Sequence, residues 1–209
     1  MEIIEKCECS GLSTHLKNFP YLGNIVVSKE KKLLYVKPPK TAGTSIARGA
    51  LVNMIPDIFH LKDNKDTFLN WLNTINDNEL DSYYKFIVTR NPYDRFISNS
   101  SYLKIPINEL IHGLENNTLT GKDEMHCLPQ HIFCHMDDKI FVNRILRFEN
   151  LQNEFDSLCD ELSMERFVLP FQNKTIHKSF EHYYDEQLKE RVYQYYKFDF
   201  EKLGYSKKM

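Results

Sequence analysis

No stretch of this sequence is long and apolar enough to span a bilayer, and the first ten residues, Met1 to Ser10, have mixed charge and no apolar core. Neither an anchor nor a secretory leader is expected, and a cytoplasmic protein is the expectation. A charge excess is missing too: 27 Lys and Arg stand against 29 Asp and Glu. Without a global basic field a nucleic-acid partner is not expected, and any anionic ligand must be held by a local cluster. Glycine is scarce, 7 in 209 residues, and no Pro/Gly/Ser-rich linker, repeat or low-complexity run divides the chain. One domain spanning residues 1–209 is expected.

The five cysteines, Cys7, Cys9, Cys127, Cys134 and Cys159, are odd in number and contain no CxxC pair. That excludes a secreted disulfide framework and predicts reduced thiols. His126, Cys127, His131, Cys134 and His135 lie close together. Their spacing repeats no zinc-ligand pattern, so they are read as helix-surface histidines and buried thiols, with no metal assigned.

What is present is an alternation of short β-type runs and helical patterns. Ile25 to Val27, Leu33 to Val36, Tyr83 to Val88 and Ile145 to Phe148 read as strands, each bounded by charged or turn residues. Ile46, Ala47, Ala50, Leu51 and Met54 share one helical face; Phe68, Leu69, Leu72 and Ile75 share another. Leu151, Phe155, Leu158 and Leu162 make a later helix, and Leu188, Val192, Tyr195 and Tyr196 one within a C-terminal helical region of about 185–205. Strands alternating with helices predict an α/β protein with a central parallel sheet.

Two segments carry chemistry. Leu33 to Val36 runs through Lys37-Pro38-Pro39 into Lys40-Thr41-Ala42-Gly43-Thr44-Ser45 and then directly into the Ile46 to Met54 helix. A tight loop entering a helix N-terminus suits phosphate oxygens, because unpaired N–H groups and the positive dipole end meet there. Gly43 permits close backbone approach, Thr44 and Ser45 add hydroxyls, and Lys40 adds charge. In the nucleotide-triphosphate loop the lysine follows the second glycine, whereas here it precedes the only one, and no Walker B carboxylate follows a strand. An ordinary capped helix start is the alternative reading.

The second segment, Tyr83 to Ser98, passes from a strand through Arg90-Asn91-Pro92 into a helix. Arg90 stands where the strand ends, a usual place for ligand contacts in an open α/β sheet. Arg95 and Ser98 can neighbour one another on the helix, and a guanidinium with a hydroxyl suits a phosphate monoester. A surface ion pair between Arg90 and Asp94 is the plainer alternative.

Together, Lys40 to Ser45 and the Arg90-Asn91-Pro92-Tyr93-Asp94-Arg95-Phe96-Ile97-Ser98 run resemble the two donor motifs of the sulfotransferases that use 3′-phosphoadenosine 5′-phosphosulfate (PAPS). The resemblance is to the branch holding the Golgi carbohydrate sulfotransferases and their small bacterial relatives, the family 2 branch. His126-Cys127-Leu128-Pro129-Gln130 is similar to its HxxPQ segment and Arg147-Phe148-Glu149-Asn150-Leu151 to its RFENL segment. Asn173-Lys174-Thr175 and Asp199 to Tyr205 also have counterparts, so the likeness covers Leu33 to Tyr205.

The resemblance implies a P-loop-like three-layer fold in which segments 36–54 and 83–102 bind the donor and about 103–180 forms the acceptor and lid region. It further implies sulfuryl transfer from PAPS to a hydroxyl, most readily on a carbohydrate or glycolipid, with no metal required. Lys40 would stabilise the leaving oxygen, while Thr41, Ala42, Gly43, Thr44 and Ser45 cradle the 5′ side. Arg90 and Ser98 would hold the 3′-phosphate, with Lys174 closing over the donor. A histidine base is expected between the two motifs, where His60 is the only histidine, and His126 is the second candidate. Arg147 and Glu149 would form a structural charged pair flanking Phe148. A silent nucleotide-binding protein and a P-loop-like phosphotransferase remain as alternatives.

Overall fold

The computed structural model of the chain describes residues 11–17, 24–60, 65–170 and 179–208, without the side chains of residues 59, 60 and 65–68. Helix α1 (Leu12–Lys17) precedes strands β1 (Ile25–Ser28) and β2 (Leu33–Val36). A π-helical segment, Ser45–Leu51, runs into α2 (Val52–Met54) and is followed by the short strand β3 (Phe59–His60). Helices α3 (Lys65–Thr74) and α4 (Asp77–Asp81) lead to β4 (Tyr84–Thr89). Then come α5 (Pro92–Leu103), α6 (Ile107–Glu115) and α7 (Gly121–Cys127), and the ribbon of β5 (His135–Met136) and β6 (Lys139–Ile140). Strand β7 (Arg144–Arg147), α8 (Leu151–Glu161), α9 (Glu186–Tyr195) and α10 (Lys197–Leu203) complete the order.

The main sheet has the order β3-β1-β2-β4-β7. Its working half is parallel: β2 pairs with β4, and β4 with β7. The other half departs from the expectation, because β1 is antiparallel to both β2 and β3. The cause is local: Lys29 to Lys32 forms a tight turn, with the Lys32 N–H donating to the Lys29 carbonyl, and a hairpin is the only pairing such a short connection allows.

Period-two alternation sends strand side chains to opposite faces, and both faces are covered. Ile25, Val27, Leu34, Val36 and Ile87 face one apolar cluster, with Trp71, Leu72, Ile75 and Leu203. Val26, Leu33, Tyr35, Phe86, Val88 and Leu146 face a second, with Ile46, Ala47, Ala50, Leu51, Phe155 and Leu158. The result is a three-layer α/β fold, as expected. A third cluster joins α5, α6 and α9 through Phe96, Leu110, Leu114, Leu188 and Val192 beyond the sheet. The expected C-terminal helical region divides at Tyr196, whose hydroxyl donates to the Cys127 carbonyl at 2.7 Å.

Close packing of the loop-bearing helix explains Gly49. A Cβ there would meet the Pro170 ring at 2.4 and 2.8 Å, and a proline ring has no rotamer by which to yield. Gly49→Ala is expected to lower the free energy of unfolding by about 1–3 kcal/mol, as overpacked interiors do. Urea unfolding of the variant against wild type measures it, and an unchanged midpoint would refute the contact.

Candidate functional site

Strand β2 ends at Val36 and the chain turns sharply through buried Pro38 and Pro39. The loop then spends backbone energy: Lys40 and Ala42 adopt left-handed φ values of 66° and 62°, at a cost of roughly 1–2 kcal/mol each for residues with a Cβ. Gly43 is required for room: a Cβ would lie 3.2 Å from the Lys37 side chain. Thr41 is fully buried and its hydroxyl donates to the Pro38 carbonyl at 2.8 Å, so that hydroxyl is committed to holding the loop. Thr44 is exposed and makes no side-chain cap, unlike the ordinary capped start, and its hydroxyl is uncommitted. The Ile46 N–H is paired with the Ala42 carbonyl. The N–H groups of Gly43, Thr44 and Ser45 precede it at the positive end of the helix.

Asn91 accepts from the Tyr93 N–H at 2.9 Å and Pro92 occupies the first helical turn, so α5 begins immediately after the strand. Arg90 stands between the two. Its Nε donates to Asp94 at 2.7 Å, Nη1 donates to the Lys40 carbonyl at 3.2 Å, and the guanidinium lies 4.2 Å from the Phe148 ring centroid. The Arg90–Asp94 pair therefore exists, but both side chains are largely enclosed, at 10 and 16 % exposure. It orients a cation over the loop.

Arg95 is 1 % exposed and is not a partner for Ser98 in holding a ligand. Its Nε donates to the Pro39 carbonyl at 2.9 Å and Nη2 to the His126 carbonyl at 3.1 Å. Among the described residues it has no carboxylate within ion-pair distance, so a buried positive charge lies under the loop with only dipoles around it. Ser98 is 3 % exposed. One residue on, Asn99 is fully buried with neither end of its carboxamide hydrogen-bonded, an arrangement that costs about 1–3 kcal/mol per unpaired group.

Helix α7 brings His126 to the same place. Its ring stacks on Tyr102 with centroids 4.6 Å apart and planes at 26°. The Lys40 and Lys122 ammonium groups lie 4.3 and 4.7 Å from that same Tyr102 ring. Burial, and then the charge of Arg90, lowers the Lys40 pKa. Burial, followed by Lys122, Lys40 and Arg95, pushes His126 down to about 4, and its Nδ1 is enclosed without a partner. The site is a concentration of cations on a near-neutral protein, and it favours an anion.

Other segments brace this site. The Glu149 carboxylate accepts from the Asn91 N–H at 2.6 Å, whereas Arg147 donates to the Leu203 carbonyl and lies 4.5 Å from the Tyr205 ring. The expected Arg147–Glu149 pair is thus replaced by two separate braces, because the chain turns between them at Phe148–Asn150. In the histidine and cysteine run, Cys134 is buried, its thiol pushed up to about 12 by burial, with Sγ 3.5 Å from the His131 carbonyl. Among the described residues no group of three or more metal-ligating side chains is assembled, and no helix is long and apolar enough to cross a membrane.

Lys40, Arg90 and His126 are thus brought together, by the Arg90–Lys40 hydrogen bond and the shared Tyr102 ring, while Ser45 opens the helical segment after the loop and Ser98 lies in the second turn of α5. Strand β3 runs alongside: His60 registers with Val26, which registers with Tyr35. Its backbone is two strand spacings from β2, or about 10 Å, and its side chain is outside the described part of the chain. Lys174 lies outside the described residues. Sequence reasoning missed Tyr102, Lys122 and Asn99. The Lys122–His126 spacing of one helical turn was the available signal for the first two, and nothing local marks Asn99.

No curated protein matches the chain. A solved sulfotransferase from Alicyclobacillus acidocaldarius is similar at 14 % identity, over 81 % of this chain and 83 % of that one, with a TM-score of 0.41. The family model described as "Sulfotransferase family" matches residues 23–206, a span that contains the strained loop, the Arg90 turn and His126 together, and the chain belongs to the sulfotransferase family.

Proposed function

We propose that the protein moves a sulfuryl group from PAPS to an acceptor hydroxyl, on a carbohydrate or glycolipid, and releases adenosine 3′,5′-bisphosphate. The observation that supports this reading is the joining of the two motifs: Arg90 donates to the Lys40 carbonyl and Arg95 to the Pro39 carbonyl. Lys40 and Arg90 are thereby held side by side with the buried Arg95 beneath them, an arrangement suited to a nucleotide bearing phosphate at both ends. The residues fit the donor, since Lys40 and Arg95 have no carboxylate partner among the described residues and an anion would offset their mutual repulsion.

In this mechanism Lys40 neutralises charge on the bridging oxygen as it leaves, which is where charge develops and where stabilisation is most effective. The N–H groups of Thr41, Ala42, Gly43, Thr44 and Ser45, with the two free hydroxyls, line the 5′ side. Asp94 holds Arg90 at Nε and the Lys40 carbonyl holds Nη1, so Nη2, which has no partner among the described residues, is the nitrogen that would meet the 3′-phosphate, and Ser98 adds a hydroxyl. Lys174 would close over the donor. His126 takes the acceptor proton on Nε2, because Nδ1 is enclosed. A neutral histidine of low pKa is a weak base, but the negative charge of the donor opposes the three cations that depress it and strengthens it on binding.

Donor identity is tested by thermal unfolding. Adenosine 3′,5′-bisphosphate at about a hundredfold excess over its Kd is expected to raise the midpoint by roughly 5–10 °C, and ATP with magnesium by far less. A shift of that size with ATP and magnesium, and none with the bisphosphate, would favour the phosphotransferase alternative.

The two cations separate kinetically. Lys40→Ala is expected to lower kcat by about 10²–10³-fold with little change in bisphosphate affinity. Arg90→Ala is expected mainly to weaken donor binding. Steady-state kinetics with PAPS measure both, and an unaffected kcat in Lys40→Ala contradicts the assigned role.

Base identity is read from pH profiles. His126 must be neutral to act, so activity is expected to fall as pH drops through its pKa. The acid limb of kcat/KM, which reports the free enzyme, is expected near pH 4. The limb of kcat is expected at higher pH, because the bound donor raises the group. His126→Ala is expected to lower kcat by about 10²–10⁴-fold and remove the limb. If His60→Ala does so and His126→Ala does not, the base is His60.

A further inference from the structure

Arg90 occupies an awkward position. The β4–β7 ladder ends one residue earlier, at Thr89 and Arg147, and the β2–β4 ladder ends at Ile87. Its N–H and carbonyl therefore have no strand partner, and an unpaired backbone would let the side chain swing. The Gln130 carboxamide takes the place of the missing strand. The Arg90 N–H donates to Gln130 Oε1 at 2.9 Å, and Gln130 Nε2 donates to the Arg90 carbonyl at 2.8 Å. Gln130 is itself fully buried.

Gln130 is held in turn by Asp199, from α10. The Asp199 carboxylate is fully buried. One oxygen accepts from the Gln130 N–H at 2.7 Å. The other accepts from the His131 N–H at 2.8 Å and lies 2.8 Å from His131 Nδ1. A buried carboxylate is costly to keep unless donors meet its oxygens, and here each oxygen accepts from a backbone N–H. The burial and the directionality leave little freedom at any joint of this chain.

We propose that Gln130 and Asp199 are positioning residues for the donor 3′-phosphate, acting through the backbone of Arg90. The inference rests on the assignment of Arg90 to that phosphate. A purely structural pair would, when altered, weaken all ligands of the site together. A positioning pair would weaken only what Arg90 touches. Adenosine 5′-phosphate, which lacks the 3′-phosphate but keeps the 5′ end, separates the two.

The experiment measures the affinities of adenosine 3′,5′-bisphosphate and adenosine 5′-phosphate calorimetrically for the full chain and for Gln130→Met, Asp199→Asn and Arg90→Ala. Gln130→Met keeps the side-chain length, and it stands in if Asp199→Asn does not fold. Each positioning variant is expected to bind the bisphosphate about tenfold more weakly, the effect of losing one well-made charged contact. Affinity for the 5′-phosphate should stay within about twofold, and KM for PAPS should rise while kcat holds. Gln130→Met added to Arg90→Ala is expected to cost almost nothing further, since both act on one contact. Parallel loss of both ligands, or full additivity with Arg90→Ala, overturns the proposal. If the wild-type protein does not itself prefer the bisphosphate, the assignment of Arg90 fails first, and the positioning role falls with it.

Discussion

The buried guanidinium of Arg95 is the constraint around which the site is arranged. It donates to the carbonyl of Pro39, which leads into the Lys40 loop, and to that of His126 at the end of α7. A loop with two non-glycine residues at positive φ would relax if nothing over-determined it, because strain persists only where surrounding contacts repay it. Arg95 supplies such contacts. It also fixes the distance between the loop and His126, since both hang from one planar fork.

The same residue sets the electrostatics. Placing an arginine at 1 % exposure with carbonyl partners leaves positive charge that no described carboxylate cancels. Lys40, Lys122 and Arg90 add to it, and the lowered pKa values of His126 and Lys40 come first from burial and then from these neighbouring cations. Such an arrangement gives up stability in the free protein and recovers it when an anion binds, a pattern expected at sites shaped for charged ligands. Specificity then depends on direction. Asp94 on the side chain of Arg90 and Gln130 on its backbone hold one cation at a defined angle, which charge alone could not do.

The legible parts of the fold were those with local causes. Leu33 to Val36 reads as a strand and is one; Asn91 and Pro92 mark a helix start, and the cap forms. The apolar face of Ile46, Ala47, Ala50 and Leu51 lies in the core as its spacing implies. Less legible was the antiparallel half of the sheet, since the pairing partner of β1 depends on the Lys29 to Lys32 turn. The exchange of partners by Arg147 and Glu149 could not be read either. Sequence adjacency suggests an ion pair, but with the bend at Phe148–Asn150 Glu149 takes the Asn91 N–H and Arg147 the Leu203 carbonyl, with Tyr205 lying against both.

By itself the sequence determined the Lys40 loop, the Arg90 turn and the family they mark, because strand, loop and helix start are encoded within a dozen residues by steric and hydrogen-bonding rules. The environment of Lys40 was decided only in three dimensions. Tyr102, Lys122 and His126 arrive from α5 and α7, and Asp199 arrives from the last helix to brace Arg90. Burial and charge shift a pKa or aim a guanidinium through whatever groups packing brings near. Those neighbours are set by how the layers close on one another, which no local pattern records.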